Sequence, residues 1–445
     1  MTLFVQRITV ILLIMMMVIP TIFAQSIQGS GTEQDPYLVP DVSTLVYVSS
    51  QSSLWGSYFE QTANVIIDPA QTPNFAPIGN STTPFTGTYD GKDFSISNLT
   101  INLPSTDYVG LFGSLSGASI RNLTLINASV TGDYRVGALI GFASSTPSVI
   151  TNCNVSGTVS GNRYVGGFIG RADAGQITWS SSASLVSASN YEVGGFIGYN
   201  KAAINYCYAT GNVSHVGASS VGRYGGFAGI STSGGWISDS YSTGTVDCNN
   251  KVFEAGGFIG NNARIANRDY STGKILNPTT DYGGLMGKNT ASVGNCFWDT
   301  ETSQLLISAA GTGKTTSEMK TLTTFTSAGW NFTTVWSLSP NYNDGYPNLD
   351  FVSVLPITWN GSVDSDWSKA FNWTPSQVPS NTDDVIIPAG LANYPIVESP
   401  ASVQVKDLSV LESGVNITVQ QGGSLIVTGV YEASEGAEVK VLGAP

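Results

Sequence analysis

The chain has 445 residues, only 11% of them charged, with 18 Lys and Arg against 31 Asp and Glu and a formal net charge of −13. That acidic balance excludes the basic footprint nucleic-acid binders need, and a lone histidine excludes any two-histidine zinc site. Charged residues usually make up about 25% of a globular chain, so Gly, Ser, Thr and Asn carry the surface here.

Residues 1–24 have the layout of a secretory signal peptide. Arg7 is its only charge, a mostly apolar run of 12 spans Ile8 to Ile19, Pro20 breaks it, and Ala24 precedes a cut before Gln25. Such a run is short of the ~20 residues that cross a bilayer. The mature chain is therefore expected to be secreted or at the cell surface, with no transmembrane helix.

Residues 25–106 carry strand-like phrases without a period, among them Val65-Ile66-Ile67, Phe75 to Gly79, Phe85 to Gly91 and Ile96 to Ile101. An open strand edge templates aggregation, so this stretch is expected to cap the repeats on its C-terminal side.

Residues 107–300 repeat. The phrase Val165-Gly166-Gly167-Phe168-Ile169-Gly170 has seven copies, closing at Gly113, Gly141, Gly170, Gly198, Gly229, Gly260 and Gly287, at steps of 28, 29, 28, 31, 31 and 27 residues. Two residues before each closing glycine stands Leu111, Leu139, Phe168, Phe196, Phe227, Phe258 or Leu285, always bulky. Three before it stands Gly110, Ala138, Gly167, Gly195, Gly226, Gly257 or Gly284, always tiny. Short apolar phrases fenced by turn residues indicate strands and not helices. Three strands per period, stacked at ~4.8 Å, would set each Phe or Leu above its equivalent. The expected fold is all-β, a right-handed parallel β-helix, with the glycines at corners that need positive φ or close backbone approach.

A second phrase keeps the same register. The ends of the stretches Ile150 to Val159, Ile177 to Val186, Ile204 to Val213 and Ile237 to Val246 stand nine residues apart, those of Ile265 to Ile275 ten, and within the phrase recur Cys207-Tyr-Ala-Thr-Gly-Asn-Val213, Ser240-Tyr-Ser-Thr-Gly-Thr-Val246 and Asp269-Tyr-Ser-Thr-Gly-Lys-Ile275. Together the two phrases resemble the GLUG-motif family, found in bacterial surface adhesins and in accessory regions of some secreted proteases. The resemblance implies an extracellular role and no defined reaction. Cys153, Cys207 and Cys296 share one position of this phrase. That puts Cys153 and Cys207 two rungs or ~10 Å apart, beyond disulfide reach. With Cys248, all four are expected to be free, mostly buried thiols.

Residues 301–352 come after the last copy. Thr315-x-x-Glu318 matches a capping box, with Met319, Leu322 and Phe325 at helical spacing. Trp330, Phe332, Trp336, Tyr342 and Tyr346 then form an aromatic set expected to lie as a lid over the final coil. Residues 353–445 change composition again, with Trp359, Trp367 and Trp373 in a Pro-rich head and alternating residues from Leu408 to Val430. They resemble a β-rich module of large secreted proteins from Bacteroidetes-type bacteria.

Chemistry-bearing residues are sparse. Gly311-Thr-Gly-Lys-Thr315 lacks the upstream glycine of a phosphate loop, Ser308 standing there. His215 reads as a solvated loop residue. Asp107, Asp133, Arg163, Glu192, Arg223, Glu254 and Asp281 precede the Gly-Gly phrases with mixed signs, the pattern of a solvated edge and not of a carboxylate pair. Asp364, Asp366, Asp383 and Asp384 are weak Ca²⁺ candidates, since Asp is also a common turn residue. An aromatic precedes every closing glycine by five to seven residues: Tyr108, Tyr134, Tyr164, Tyr191, Tyr224, Phe253 and Tyr282. These are either a packing ladder along a corner or an exposed stripe for stacking on sugars or docking a protein. No cofactor is expected. The sequence supports a non-enzymatic secreted or surface adhesin or spacer contacting an extracellular glycan or protein. Its rivals are a β-helix polysaccharide lyase or glycoside hydrolase, and a carbohydrate-binding module of a larger system.

Overall fold

In the computed structural model, Phe168, Phe196, Phe227 and Phe258 form a file of near-parallel rings with centroids 4.6, 4.8 and 4.9 Å apart. That is the spacing of hydrogen-bonded strands. The cause is the backbone: the Phe168 N–H donates to the Phe196 carbonyl at 3.0 Å, Phe196 to Phe227 and Phe227 to Phe258 at 2.9 Å. Leu111, Leu139 and Leu285 continue the file, and all seven side chains are fully buried. The structure describes residues 27–441 except 219, 340–342, 350–356, 375–377, 382, 406, 411–413, 430, 434, 435 and 437. The expected signal peptide and Tyr342 lie outside the described residues.

The small position is explained by close approach. A methyl group on Gly195 would sit 2.1 Å from the Gly226 carbonyl oxygen, and one on Gly226 equally close to that of Gly257. None of these glycines has a positive φ, so of the two expected reasons only the second applies.

Three parallel sheets wall the solenoid. One holds strands such as Ile140–Ala143, Ile169–Ala172 and Ile197–Asn200, and a second Tyr134–Gly137, Arg163–Gly166 and Val193–Gly194. The third, longest face stacks about eleven rungs from Tyr37–Val39 to Thr312–Lys314. Its strands Ser119–Thr131, Val149–Gly161 and Gln176–Ala188 bend in mid-course. Asn122, Asn152, Trp179, Tyr206, Asp239, Arg268 and Asn295 occupy the bend in register, every one at a φ near +50°.

The residue after the bend points inward and explains the cysteines. This column runs Leu123, Cys153, Ser180, Cys207, Ser240, Asp269 and Cys296. Where the bend interrupts backbone pairing, the side chain on the next rung accepts instead. Cys153 N–H donates to Ser180 Oγ at 3.1 Å, Cys207 N–H to Ser240 Oγ at 3.2 Å, and Ser240 N–H to Asp269 Oδ1 at 3.0 Å. The four cysteines are free and buried; three of them stand in this column, where Ser180, Ser240, Asp269 and Cys296 each accept a backbone N–H from the rung before.

The stretch over 25–106 does more than cap. Tyr37, Phe59, Tyr89 and Ile120 pair in sequence along the long face, so it supplies three rungs of its own. The lid is an unanticipated helix, Val42–Ser50, N-capped by Asp41, whose carboxylate accepts the Thr44 N–H at 2.8 Å. Its β-branched residues favour strands; the cap and the full burial of Leu45 and Val48 outweigh them. At the other end Leu305 and Ala310 pack on the core, and Thr312–Lys314 forms the last rung beside Phe297–Asp299. The Gly311–Thr315 phrase is thus strand, not phosphate loop. Thr315 and Glu318 make the expected capping box.

The aromatic set is a strap along the flank and not a lid. Tyr208, Tyr241 and Tyr270 stack at 4.9 Å intervals, and Trp330, Trp336 and Tyr346 close over them. Polar tips fix it: Trp336 Nε1 donates to Asp239 Oδ1 at 3.2 Å, Trp330 Nε1 to the Asn295 carbonyl at 2.9 Å, and Tyr346 Oη to Asp299 Oδ2 at 2.7 Å. Tyrosines project outward here, so their equivalents on three rungs demand one continuous cover.

The region after residue 356 winds as well. Val385, Leu408 and Tyr431 pair in parallel 23 residues apart, and Ile417 pairs with Val439 at 22. Trp359, Trp367 and Trp373 pack edge to face over its core, 4.7 Å apart. The alternating phrases expected to be a β-rich module are the coils of a second, narrower parallel solenoid.

Phe196→Ala opens a void between two rings of the file and should cost about 3–5 kcal/mol, read from the denaturant midpoint; a loss under 1 kcal/mol would show that the file does not hold the stack together. Burial holds the Asp269 carboxyl well above the ordinary range, so the folded chain keeps a proton that the unfolded chain releases. This contribution is complete below the unfolded value near 3.9 and is lost as pH rises through the raised one. Asp269→Ser, copying Ser180 and Ser240, should therefore gain stability over the native chain increasingly from pH 4 to 8. A gain independent of pH would refute the neutral carboxyl.

Candidate binding face

The seven aromatics expected to line one corner fall into three neighbouring columns. Tyr134, Tyr191 and Phe253 share one with Arg163 and Gly222. Tyr108 and Tyr164 share the next with Arg135, Glu192, Arg223 and Glu254. Tyr224 and Tyr282 fall in the third, in line with Val136, Val165 and Val193. Insertions between repeats shift the aromatic by one place, and one place reverses the direction of a strand side chain.

The third column faces inward. Tyr224 is fully buried, its Oη within 3.0 Å of the Ala188 carbonyl and 2.9 Å of both the Asn190 carbonyl and His215 Nδ1. His215 is itself buried, which corrects the solvated-loop reading: it fills the corner that Tyr224 needs closed.

The middle column interleaves with the adjoining face. Tyr108 meets Phe142 edge-on at 5.6 Å and Tyr164 meets Tyr199 at 5.5 Å. Guanidinium groups lie over these rings: Arg135 at 4.7 Å from Tyr108, Arg163 at 4.5 Å from Tyr164, and Arg171 at 4.6 Å from Tyr199. Such contacts contribute about 0.5–2 kcal/mol each. They also occupy ring faces that a ligand would use. The most exposed aromatics at this corner are Tyr191 and Phe253, 38% and 43% exposed, although the Arg163 guanidinium also approaches the Tyr191 ring, at 5.7 Å from its centroid. Tyr191 sets a ring edge against Gly222, where an added methyl would stand 2.2 Å from Cδ1.

Farther along, the mixed charges make a chain of ion pairs, not a loose solvated edge. Arg163 Nε meets Glu192 Oε2 at 3.0 Å, Arg223 bridges Glu192 at 2.7 Å and Glu254 at 2.9 Å, and Lys288 reaches Glu254 at 3.1 Å. Burial alone would raise the Glu254 carboxyl, but Asn261, Lys288 and Arg223 hold it below its ordinary value. Each glutamate is thereby held by two basic side chains, Glu192 by Arg163 and Arg223, and Glu254 by Arg223 and, from the adjoining face, Lys288, so neither is placed as the free acid or base of a glycosidase pair.

The calcium candidates are engaged elsewhere. Asp364 and Asp366 both face Lys369, and Asn372 Nδ2 donates to Asp364 at 2.9 Å; the Lys369 ammonium holds the Asp364 carboxyl down at about 2. Asp383 accepts from Ser380 N–H and Oγ at 2.7 and 2.8 Å. These are turn-closing contacts; the Asp384 side chain lies outside the described residues. Among the described residues no three His, Cys, Asp or Glu side chains converge as a metal site.

Sequence reasoning passed over one pair. Trp179 and Tyr206 stack 4.5 Å apart on adjacent rungs. The signal was present, because each stands two residues after the phrase-opening Ile177 or Ile204, where Asn122 and Asn152 stand on earlier rungs.

Among known protein families, the GLUG motif matches residues 132–160 and 189–214. The solenoid is built of GLUG repeats. A domain family of unknown function, DUF8693, matches residues 358–443. Halomucin of Haloquadratum walsbyi is 37% identical over 169 residues, 35% of this chain and 2% of that protein. The immunoglobulin A1 protease of Streptococcus sanguinis is 30% identical over 213 residues, 45% of this chain and 11% of the relative. A protein of Evansella cellulosilytica provisionally named a Gly-rich membrane protein is 27% identical over 415 residues, 74% of this chain and 46% of its own length. The chain thus spans less than half of each of these relatives. A solved Bacteroides ovatus structure, provisionally an immunoglobulin A1 protease, aligns at a TM-score of 0.47 and 21% identity over 73% of this chain and 94% of that one.

The ion-pair chain is testable at its middle. Glu192→Ala strands Arg163 and Arg223; because those partners are about a third exposed, the cost should be about 1–3 kcal/mol, and smaller in 1 M salt. Equal loss at all salt concentrations would mean that packing, not charge, accounts for it.

Proposed function

We propose that this GLUG-repeat solenoid is an extracellular, non-catalytic spacer or adhesive element that contacts a surface through its corner. The observation that carries this is the corner itself. Its acids are bound between bases, its middle rings are sandwiched by guanidinium groups, and Tyr191 and Phe253 stand out from it. A rigid stack of about eleven rungs at ~4.8 Å separates its two ends by roughly 50 Å, which suits a spacer. The names of relatives support an extracellular setting. No helix among the described residues is long and apolar enough to cross a membrane.

The relatives named proteases favour a second reading, in which the chain accompanies a catalytic region. The matched segment is about a tenth of the S. sanguinis protein, so that reading assigns the solenoid a positioning role and not the bond cleavage. One experiment addresses both. The full chain should bind a glycan or cell surface without releasing reducing ends from any polysaccharide or cleaving immunoglobulin A1. Release of sugar ends or cleavage would overturn the non-catalytic reading. Tyr191→Ala with Phe253→Ala should lower surface binding at least tenfold at an unchanged melting temperature; full binding would remove the corner from the proposal.

A further inference from the structure

The turn that leads into the long face is two residues longer on one rung than on its neighbours. Asn200 pairs with Ser231 and Ala203 with Trp236, so three steps along one rung become five on the next, and Gly234 and Gly235 fill the difference. Insertions in stacked repeats tend to gather on the binding face. This one delivers an indole to the surface. Seven of the nine tryptophans are buried and Trp179 is half-buried, whereas Trp236 is 46% exposed.

Neither packing nor hydrogen bonding accounts for an aromatic there. Ser119, Val149, Gln176 and Ala203 hold the same column on earlier rungs, so the fold accepts small and polar side chains at this position. Buried indoles find acceptors: Trp55 Nε1 donates to the Val48 carbonyl at 2.9 Å and Trp298 Nε1 to that of Leu305 at 3.1 Å. Trp236 Nε1 has no protein acceptor among the described residues. Ile265 follows it on the next rung, 55% exposed.

The surroundings decide the chemistry of the ligand. Two places along the strand, on the same face, Asn205 and Ser238 stand in register and half-buried. Ser238 Oγ donates to Asn205 Oδ1 at 2.6 Å, and the Asn205 amide donors have no protein acceptor among the described residues. The apolar ground is small. Trp236 and Ile265 together expose on the order of 200 Å², against the ~800 Å² that each partner of a stable protein complex buries. A membrane-binding face needs a broader apolar stripe. One sugar ring, with an apolar CH face and a polar edge, matches both the area and the neighbouring amide and hydroxyl.

We propose that Trp236 is the platform of a glycan subsite, on which a pyranose ring lies by its CH face with its hydroxyl edge toward Asn205 and Ser238. Arg264, exposed and without an ion pair among the described residues, precedes Ile265, so neutral and carboxylated sugars share the ring contact and are separated by the test. The inference deepens the glycan-contact reading of the adhesive role and rests on it, but it places the contact where the chain enters the long face and not on the Tyr191–Phe253 corner.

The test follows tryptophan fluorescence of the full chain. Acrylamide should quench Trp236 ahead of the buried indoles, and a bound glycan should shield it. The probes are cellohexaose, mannohexaose, chitohexaose and hexagalacturonate, each also titrated calorimetrically. At least one should bind and protect Trp236; a response to hexagalacturonate alone identifies a carboxylated sugar, a response to the others a neutral one, and either supports the subsite. Trp236→Ala, at an exposed position, should weaken binding at least tenfold at an unchanged melting temperature, while Trp236→Phe keeps most of it. Tyr191→Ala with Phe253→Ala should leave it unchanged. Binding that survives Trp236→Ala but not the corner double variant would overturn the subsite and spare the adhesive reading. Absence of protection by every glycan would overturn the subsite too, even where vesicles of phosphatidylcholine and phosphatidylglycerol shield the indole instead; adhesion through a protein partner would still show in the surface assay. If Trp236→Ala lowers the melting temperature, its loss of binding counts only when Trp236→Phe restores both, and failure of that rescue overturns the proposal.

Discussion

Rung-to-rung hydrogen bonding in parallel register is the constraint on which the whole molecule depends. It forces like to stand on like every ~4.8 Å, so any residue type is repeated, for better or worse, along a line. Apolar residues profit, as the Phe168 to Phe258 file shows. Charges do not: a column of glutamates would repel. The corner answers by pairing, with Glu192 and Glu254 each meeting two of Arg163, Arg223 and Lys288. Side chains that cannot pair in this way are covered, as the strap covers Tyr208, Tyr241 and Tyr270. One rule of geometry thus has three chemical solutions in one solenoid.

The sequence made the columns legible where spacing is constant. The bulky and tiny positions before each closing glycine, and the shared position of Cys153, Cys207 and Cys296, stand in the structure where counting places them. Legibility failed where spacing varies. Steps between 27 and 31 residues move the corner aromatic by single places, so Tyr224 turns inward beside His215 while Tyr191 turns out. It failed again where two periods of 22 to 23 residues share few identities, as for Val385, Leu408 and Tyr431. The helix Val42–Ser50 was hidden because tertiary burial overrode a strand-like composition.

The bend column holds several residue types in one backbone conformation. Asparagine suffices there, as Asn122, Asn152 and Asn295 demonstrate. Trp179 and Tyr206 depart from it on neighbouring rungs, and Asp239 with Arg268 depart again beneath the strap. The inward column beside it is constrained in the opposite sense, because Ser180, Ser240 and Asp269 must supply an acceptor to the rung before.

The glycine seam has a consequence for how such a chain changes length over generations. Gly195, Gly226 and Gly257 each meet the carbonyl of the next with the same clearance, so any coil of this type fits against any other. Duplication or loss of one whole coil leaves the seam intact on both sides of the edit. Length can therefore drift in quanta of a single coil, while the helix at one extremity and the closing stretch from Leu305 to Lys314 at the other, which have no counterpart elsewhere in the stack, remain as fixed bookends.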